Sequence, residues 1–239
     1  METKMSAMKY LRGIAMIALL SSANAWAEST SNPWIGAYGQ VGLIGYESYI
    51  PKAANGTTTT ASGVSFPNTA TANHANGPAA NVGIGYNFGI AESYLLGIGA
   101  SLYPGHSRSA SSTLVTTVGN ASIVKTGTYD VSNVFSFTLT PGYAIDKDRL
   151  VYAKIGYAGS TLNANSQGNY PQQATKVNGM VYGLGYKQFV SGSIYVFGEG
   201  NYAVNRAKSV NVLTDSGSTV RSTVDATGYD FILGVGYHF

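Results

Sequence analysis

Few residues of this sequence belong to types that do chemistry. Its 239 residues include no cysteine and only three histidines, His74, His106 and His238, and just 10% of the chain is charged. Without Cys there is no thiolate nucleophile, thiolate metal site or disulfide framework. His106 followed by Ser107 suggests a Ser–His lipid hydrolase or acyltransferase. That chemistry needs nucleophile, base and orienting acid together, and no acidic residue stands near His106 in sequence. So few ligands give metal chelation no better support. The glycine-rich stretches are not followed by Gly-Lys-Ser/Thr, so they are not phosphate loops. The chain therefore reads as a non-enzyme without catalytic, cofactor or metal residues. Four charges, Lys154, Lys187, Glu199 and Asp230, lie in otherwise apolar alternating stretches. An unpaired charge there would be costly, so a shared interior network is expected, with Lys154 and Glu199 facing one another. A second set, Arg108, Lys125, Arg206, Lys208 and Arg221, lies in polar segments and suits anionic sugars or lipid phosphates.

The elements that hold these residues follow from an alternation of period two. Ile35, Ala37, Gly39, Val41 and Leu43 oppose Gly36, Tyr38, Gln40 and Gly42. Val131, Phe135, Phe137 and Leu139 oppose Ser132, Ser136, Thr138 and Thr140. Phe231, Leu233, Val235, Tyr237 and Phe239 oppose Asp230, Gly234, Gly236 and His238. Similar stripes near 81–88, 96–102, 151–157, 179–187 and 194–202 bring the expected strands to eight. An even number returns the chain to its starting side, as a closed up-and-down barrel requires. Short connections near Gly89–Glu92, Asp146–Arg149 and Gln188–Gly192 alternate with long Ser/Thr/Asn-rich segments at 48–79, 104–128, 160–176 and 206–226. The fold class expected is all-β: an eight-stranded antiparallel up-and-down transmembrane β-barrel with short periplasmic turns and long extracellular loops. A soluble barrel would have to expose the glycine-dominated stripe, an odd surface for a chain meeting water. Segments 104–128 and 206–226 alternate partly, which suggests strands running past the bilayer as a hairpin platform. The remaining loop sequence reads as flexible and polar.

The amino terminus has a different pattern. Lys4, Lys9 and Arg12 precede the apolar run Gly13–Leu20, and Ala23-Asn24-Ala25 supplies a small-x-small site. Residues 1–25 read as a cleaved secretory signal peptide, with Ala27 a second choice, leaving 26–239 as one barrel domain. Removing 1–25 leaves 11 basic and 10 acidic side chains, so nothing favours a nucleic-acid partner. No later stretch is long and apolar enough for a membrane helix.

A local repeat fixes one rim. Gly83-Ile84-Gly85-Tyr86, Gly183-Leu184-Gly185-Tyr186 and Gly234-Val235-Gly236-Tyr237 share one pattern, and Thr140-Pro141-Gly142-Tyr143 is a variant. Stacked in a barrel, Tyr86, Tyr143, Tyr186 and Tyr237 form a periplasmic aromatic girdle, with rings in hydrocarbon and hydroxyls at the wet interface. Pro141, which lacks a ladder donor, predicts a bulge or a weakened hydrogen bond. With Leu139–Ile145, Leu150–Tyr157, Val181–Tyr186 and Gly236–Phe239, the chain over 26–239 resembles the small eight-stranded outer-membrane barrels: the transmembrane domain of outer-membrane protein A and the opacity proteins. The resemblance implies a Gram-negative outer membrane, lipid and lipopolysaccharide contacts, extracellular loops, and both mature termini in the periplasm. It implies that Phe231, Leu233, Val235, Tyr237 and Phe239 form the signal read by the barrel-assembly machinery, and that no peptidoglycan-binding domain follows. Activity is left open among relatives. The leading expectation is a structural envelope role, with surface binding of a host or cell-surface ligand through the loops, or a narrow pore, as alternatives.

Overall fold

The computed structural model describes residues 32–166 and 172–239. The proposed signal peptide and both candidate cleavage sites lie outside them. All described secondary structure is antiparallel β: fourteen strands joined in one sheet. Eight were expected, so the count is corrected upward by six. The extra strands are β2 (Ala54–Thr59), β3 (Ser65–Ala72), β4 (Ala75–Pro78), β7 (Ala110–Val118), β12 (Lys208–Leu213) and β13 (Thr219–Val224). All six fall in the long polar segments; β7, β12 and β13 lie where partial alternation suggested a hairpin platform, and β2, β3 and β4 where only loop was expected. Their Thr, Val and Ser content favours extended backbone, but their faces are polar or alanine-rich and give a weak stripe. Gly63 and Gly217, with φ of +86° and +76°, lie in the tight turns from β2 to β3 and from β12 to β13, and Gly119, with φ +59°, lies in the turn that follows β7.

The other strands are β1 (Gly36–Pro51), β5 (Asn81–Gly89), β6 (Tyr94–His106), β8 (Ala121–Ala144), β9 (Arg149–Ser166), β10 (Gln173–Ser191), β11 (Ile194–Asn205) and β14 (Ala226–His238). Each pairs with the next in that order, and β14 pairs back onto β1, so the ladder closes on itself. At one rim β5–β6, β8–β9 and β10–β11 are joined by tight turns. In the β8–β9 turn the Asp146 carboxylate accepts from the backbone amides of Asp148 and Arg149 and pairs with the Arg149 guanidinium at 2.5 Å. That guanidinium holds the Asp146 carboxyl below its ordinary range.

Beyond the opposite rim the sheet continues as a far tier. Pairings run β12–β13–β2–β3–β7 and on to the outer ends of β8, β9 and β10. β8 has 24 residues, β9 18 and β10 19, against about 9–11 for a tilted membrane crossing. β4 pairs with the outer part of β1.

Two bulges on the tier side re-aim side chains. In β1 the register slips between Gly42 and Ile44, so that Leu43 and Ile44 are both exposed, at 63% and 71%. Past this point the faces exchange and Glu47 turns inward. In β8 the slip falls between Ser132 and Phe135, where Asn133 has φ +51°. Val131, expected beside Phe135 on the outer stripe, is consequently buried with Tyr129 and Ala75. Pro141 makes no bulge. The ladder from β8 to β9 merely omits Thr140 and Pro141, with register unchanged on either side.

Within the ring the glycines face large rings. A Cβ on Gly185 would overlap the Tyr152 ring, and one on Gly236 the Tyr195 ring. Gly185→Val should therefore lower stability by about 1–3 kcal/mol or block assembly. Gly63→Asn, at an open turn that Asn tolerates, should leave the urea midpoint and the heat-dependent gel migration unchanged.

Candidate functional site

The interior of the ring is filled in layers. Nearest the short turns, Trp34 is fully buried and stacks on Phe189 with centroids 4.0 Å apart. Tyr195 and His238 meet it edge-on. Asn32 Oδ1 accepts from the Trp34 amide at 3.0 Å, and Asn87 Nδ2 donates to the Trp34 carbonyl at 2.9 Å. The segment before β1 is thereby fastened across the ring mouth as a plug. Sequence reasoning missed it, since Trp34 precedes the alternating run and has no periodic signature.

The next layer holds Lys187. Its ammonium lies 3.5 Å from the Tyr38 ring centroid, 4.9 Å from that of Tyr195 and 5.2 Å from that of Tyr152. It makes no ion pair among the described residues, so three aromatic faces take the place of an acid partner. Above it the Glu199 carboxylate accepts from Lys154 Nζ at 2.7 Å, Tyr152 OH at 2.6 Å and Gln40 Nε2 at 3.1 Å. Tyr195 OH donates to Gln40 Oε1 at 3.1 Å, closing the network. Lys154 and Glu199 are almost wholly buried, with side chains 5% and 2% exposed.

Asp230 lies farther toward the tier and is not in this ion pair. It accepts from Asn201 Nδ2 at 2.8 Å and Tyr103 OH at 3.2 Å. Glu47 is its register partner across β1–β14 and is buried, while Asp230 is half-buried. The four charges named from sequence thus divide into a caged lysine, an ion pair and an acid beside a second acid. Glu47 escaped notice because the Leu43 bulge reverses the alternation that would have revealed it.

The outward residues sort as follows. Tyr143, Tyr186 and Tyr237 are exposed and Tyr86 half-buried, all near the short-turn rim. Tyr94 joins them against Tyr143 at 5.2 Å. Phe231, Leu233, Val235, Tyr237 and Phe239 are all exposed along β14. Arg108, Lys125, Arg206, Lys208 and Arg221 are exposed but spread over separate elements of the tier. Lys208 Nζ donates to the Lys176 carbonyl at 2.8 Å, and Lys125 pairs in register with Leu114.

His106 acquires an acid that its sequence neighbourhood lacks. Its Nδ1 lies 2.9 Å from Asp130 Oδ1, and Asn163 Nδ2 donates to the same oxygen at 2.8 Å. Ser107 is turned elsewhere: its Oγ donates to the Arg108 carbonyl and accepts from the Val131 amide. Among the described residues no group of three His, Asp or Glu side chains is placed to hold a metal.

Two outcomes follow. Glu199→Gln should cost about 1–3 kcal/mol by leaving Lys154 buried with a weakened partner, and Lys154→Met in the same chain should recover part of that loss, read from urea midpoints in lipid vesicles. At Asp130, burial pushes the carboxyl up, but the hydrogen bonds from His106 and Asn163 outweigh it and hold it below its ordinary value. Its contribution is therefore present above the unfolded value near about 3.9 and lost as pH falls through the lower folded value. Asp130→Asn should accordingly be less stable than the parent at pH 6, with the difference vanishing in acid.

No curated protein matches the sequence. Among solved structures, the outer membrane protein OprG from Pseudomonas aeruginosa is similar at 12% identity with a TM-score of 0.54, over 87% of this chain and 98% of that one. The outer membrane protease OmpT from Escherichia coli, also 12% identical, has a TM-score of 0.48 over 91% of this chain and 100% of its own. Ail, the attachment invasion locus protein of Yersinia pestis, is 12% identical with a TM-score of 0.36, over 82% of this chain and 99% of its own. At 12% identity the likeness to OprG concerns fold alone. Residues 13–239 match the family described as outer membrane protein beta-barrel domain, and with its closed antiparallel ladder the chain belongs to that family.

Proposed function

We propose that the closed ladder is an eight-stranded barrel spanning the outer membrane of a Gram-negative bacterium, and that the protein is a non-enzymatic surface-binding protein whose working part is the far tier. In this reading the short turns and both mature termini are periplasmic and the tier is extracellular. The observation that carries it is the tier itself: six strands beyond the ring organise segments that closure of the barrel does not need. Surface-exposed connections positioned by a rigid scaffold are where binding residues concentrate. The Trp34 plug and the Lys154–Glu199 network argue against a pore. The same filled interior suits a purely structural anchor of the envelope, the second reading.

The tyrosines at the short-turn rim serve in this reading as the periplasmic girdle. The exposed β14 stripe ending at Phe239 is the stretch offered to the barrel-assembly machinery. Arg108, Lys125, Arg206, Lys208 and Arg221 give the tier a basic character toward lipopolysaccharide or an anionic host surface, through contacts that weaken as salt rises.

Replacing residues 53–73 or 207–225 by short Gly/Asn turns should preserve heat-dependent migration, because the ring pairings are untouched. Binding of the bacteria to immobilised lipopolysaccharide or extracellular matrix should fall for at least one replacement. Unchanged binding by both, with envelope integrity restored to a deletion strain, would leave only the structural reading.

A further inference from the structure

Beyond the β1 bulge, the seam that closes the ring sets two acids against each other. Glu47 and Asp230 are register partners in the β1–β14 ladder. Both line one interior cavity of about 50 Å³, which they share with Tyr49, Tyr103, Lys154 and Asn201. Like charges directly opposite one another on paired strands are destabilising. Lys154 is the one cation lining this cavity, and its ammonium is already held by Glu199 at 2.7 Å.

The charge of the whole column points the same way. Among the described residues, the interior of the ring holds two ammonium groups, Lys154 and Lys187, and three carboxyls, Glu47, Glu199 and Asp230. Fully ionised, they leave one negative charge without a partner, where such a charge is costly. A single proton on the acid pair makes the column neutral. Asp230 is the better placed of the two to stay a carboxylate, because its Oδ1 accepts from both Asn201 Nδ2 and Tyr103 OH. Glu47 is more buried and has the Tyr49 hydroxyl of its own strand as its neighbouring donor. Tyr229 also lines the cavity, and the strands β8 and β10 present no ionisable side chain to it.

We propose that this pair is a proton-controlled latch on the outer half of the closing seam. Glu47 carries the proton and donates it to the Asp230 carboxylate while the seam is closed. As pH rises the proton passes to water, two opposed carboxylates remain, and the ladder between residues 47–51 and 226–230 loosens. That part of β1 also holds β4, and Lys52 just past it pairs with Asp225, the residue between β13 and β14. The tier is therefore less firmly held on this side once the latch opens. The closed seam binds one more proton than the same two carboxyls apart, so its stability falls with rising pH. The latch does not rest on the surface-binding reading, since it is the same whichever side of the membrane the tier faces.

The test is amide hydrogen exchange on the full-length protein in lipid nanodiscs, at about pH 5 and about pH 9, corrected for the intrinsic exchange rate. Protection of residues 47–51 and 226–230 should fall about fivefold at the higher pH, the order of one opposed pair of like charges. Protection of 38–41 and 235–238, on the other side of the bulge, should hold. Glu47→Gln and Asp230→Asn, each checked for heat-dependent migration, should keep the protection of the outer seam at its low-pH level throughout. Infrared spectra of the parent near neutral pH should show the carbonyl stretch of one protonated carboxyl, absent from both variants. Parent protection that ignores pH, a fall just as large in both variants, or a parent without the protonated band overturns the latch. A metal ion between the acids would make protection at about pH 9 rise with sodium or potassium chloride and not with N-methylglucamine chloride. That result overturns the proton.

Discussion

In hydrocarbon every backbone amide and carbonyl must find its partner within the protein, and a sheet can meet that demand only by closing on itself. The return of β14 onto β1 supplies the last ladder, through pairs such as Val41 with Val235 and Tyr38 with His238. Closure at this narrow width then dictates the interior. Too little room remains for an open channel lined by long side chains, and enough for one packed column. Glycine on one strand accommodates a ring from another, as Gly185 does for Tyr152 and Gly236 for Tyr195. The column carries charge because its outer face must be apolar and its inner face is the only place left for polar side chains.

The way those charges are held separates two solutions to one problem. Glu199 receives three donors, one of them the Lys154 cation, so its desolvation is offset by short contacts. Lys187 is instead surrounded by the faces of Tyr38, Tyr152 and Tyr195, and the Tyr152 and Tyr195 hydroxyls connect onward to Glu199 and Gln40. Both solutions tie strands distant in sequence into one rigid column, which the Trp34–Phe189 stack caps at the short-turn end. Rigidity here is useful to a protein whose hairpins extend well past the ring.

Much of the outward surface was legible in the sequence because lipid demands an uninterrupted apolar stripe. Ile84, Ile98, Ile155 and Leu184 lie exposed where alternation put them. The Lys154–Glu199 contact was legible for a related reason, since a charge inside an apolar alternation needs a partner. What the alternation hid lay beyond its interruptions. One extra residue at Leu43 exchanges the faces of β1 and brings in Glu47, and a similar slip at Asn133 buries Val131. Of the tier strands, β7, β12 and β13 showed in the partial alternation of 104–128 and 206–226, whereas β2, β3 and β4 were obscure because alanine, asparagine and threonine give their faces little hydrophobic contrast. The His106–Asp130 contact joins residues from two strands, and no local pattern encodes it.

Closure and the β1 bulge are tested together by disulfide trapping in native outer membranes, for which the absence of cysteine from the chain is convenient. Val41→Cys with Val235→Cys, and Ile44→Cys with Leu233→Cys, are directly opposed pairs in the β1–β14 register. Both should cross-link on mild oxidation and keep heat-dependent migration, while Leu43→Cys with Leu233→Cys should not. Cross-linking of the 43/233 pair in place of 44/233 would contradict the bulge and with it the inward placement of Glu47. Failure of all three pairs would contradict the closed ring.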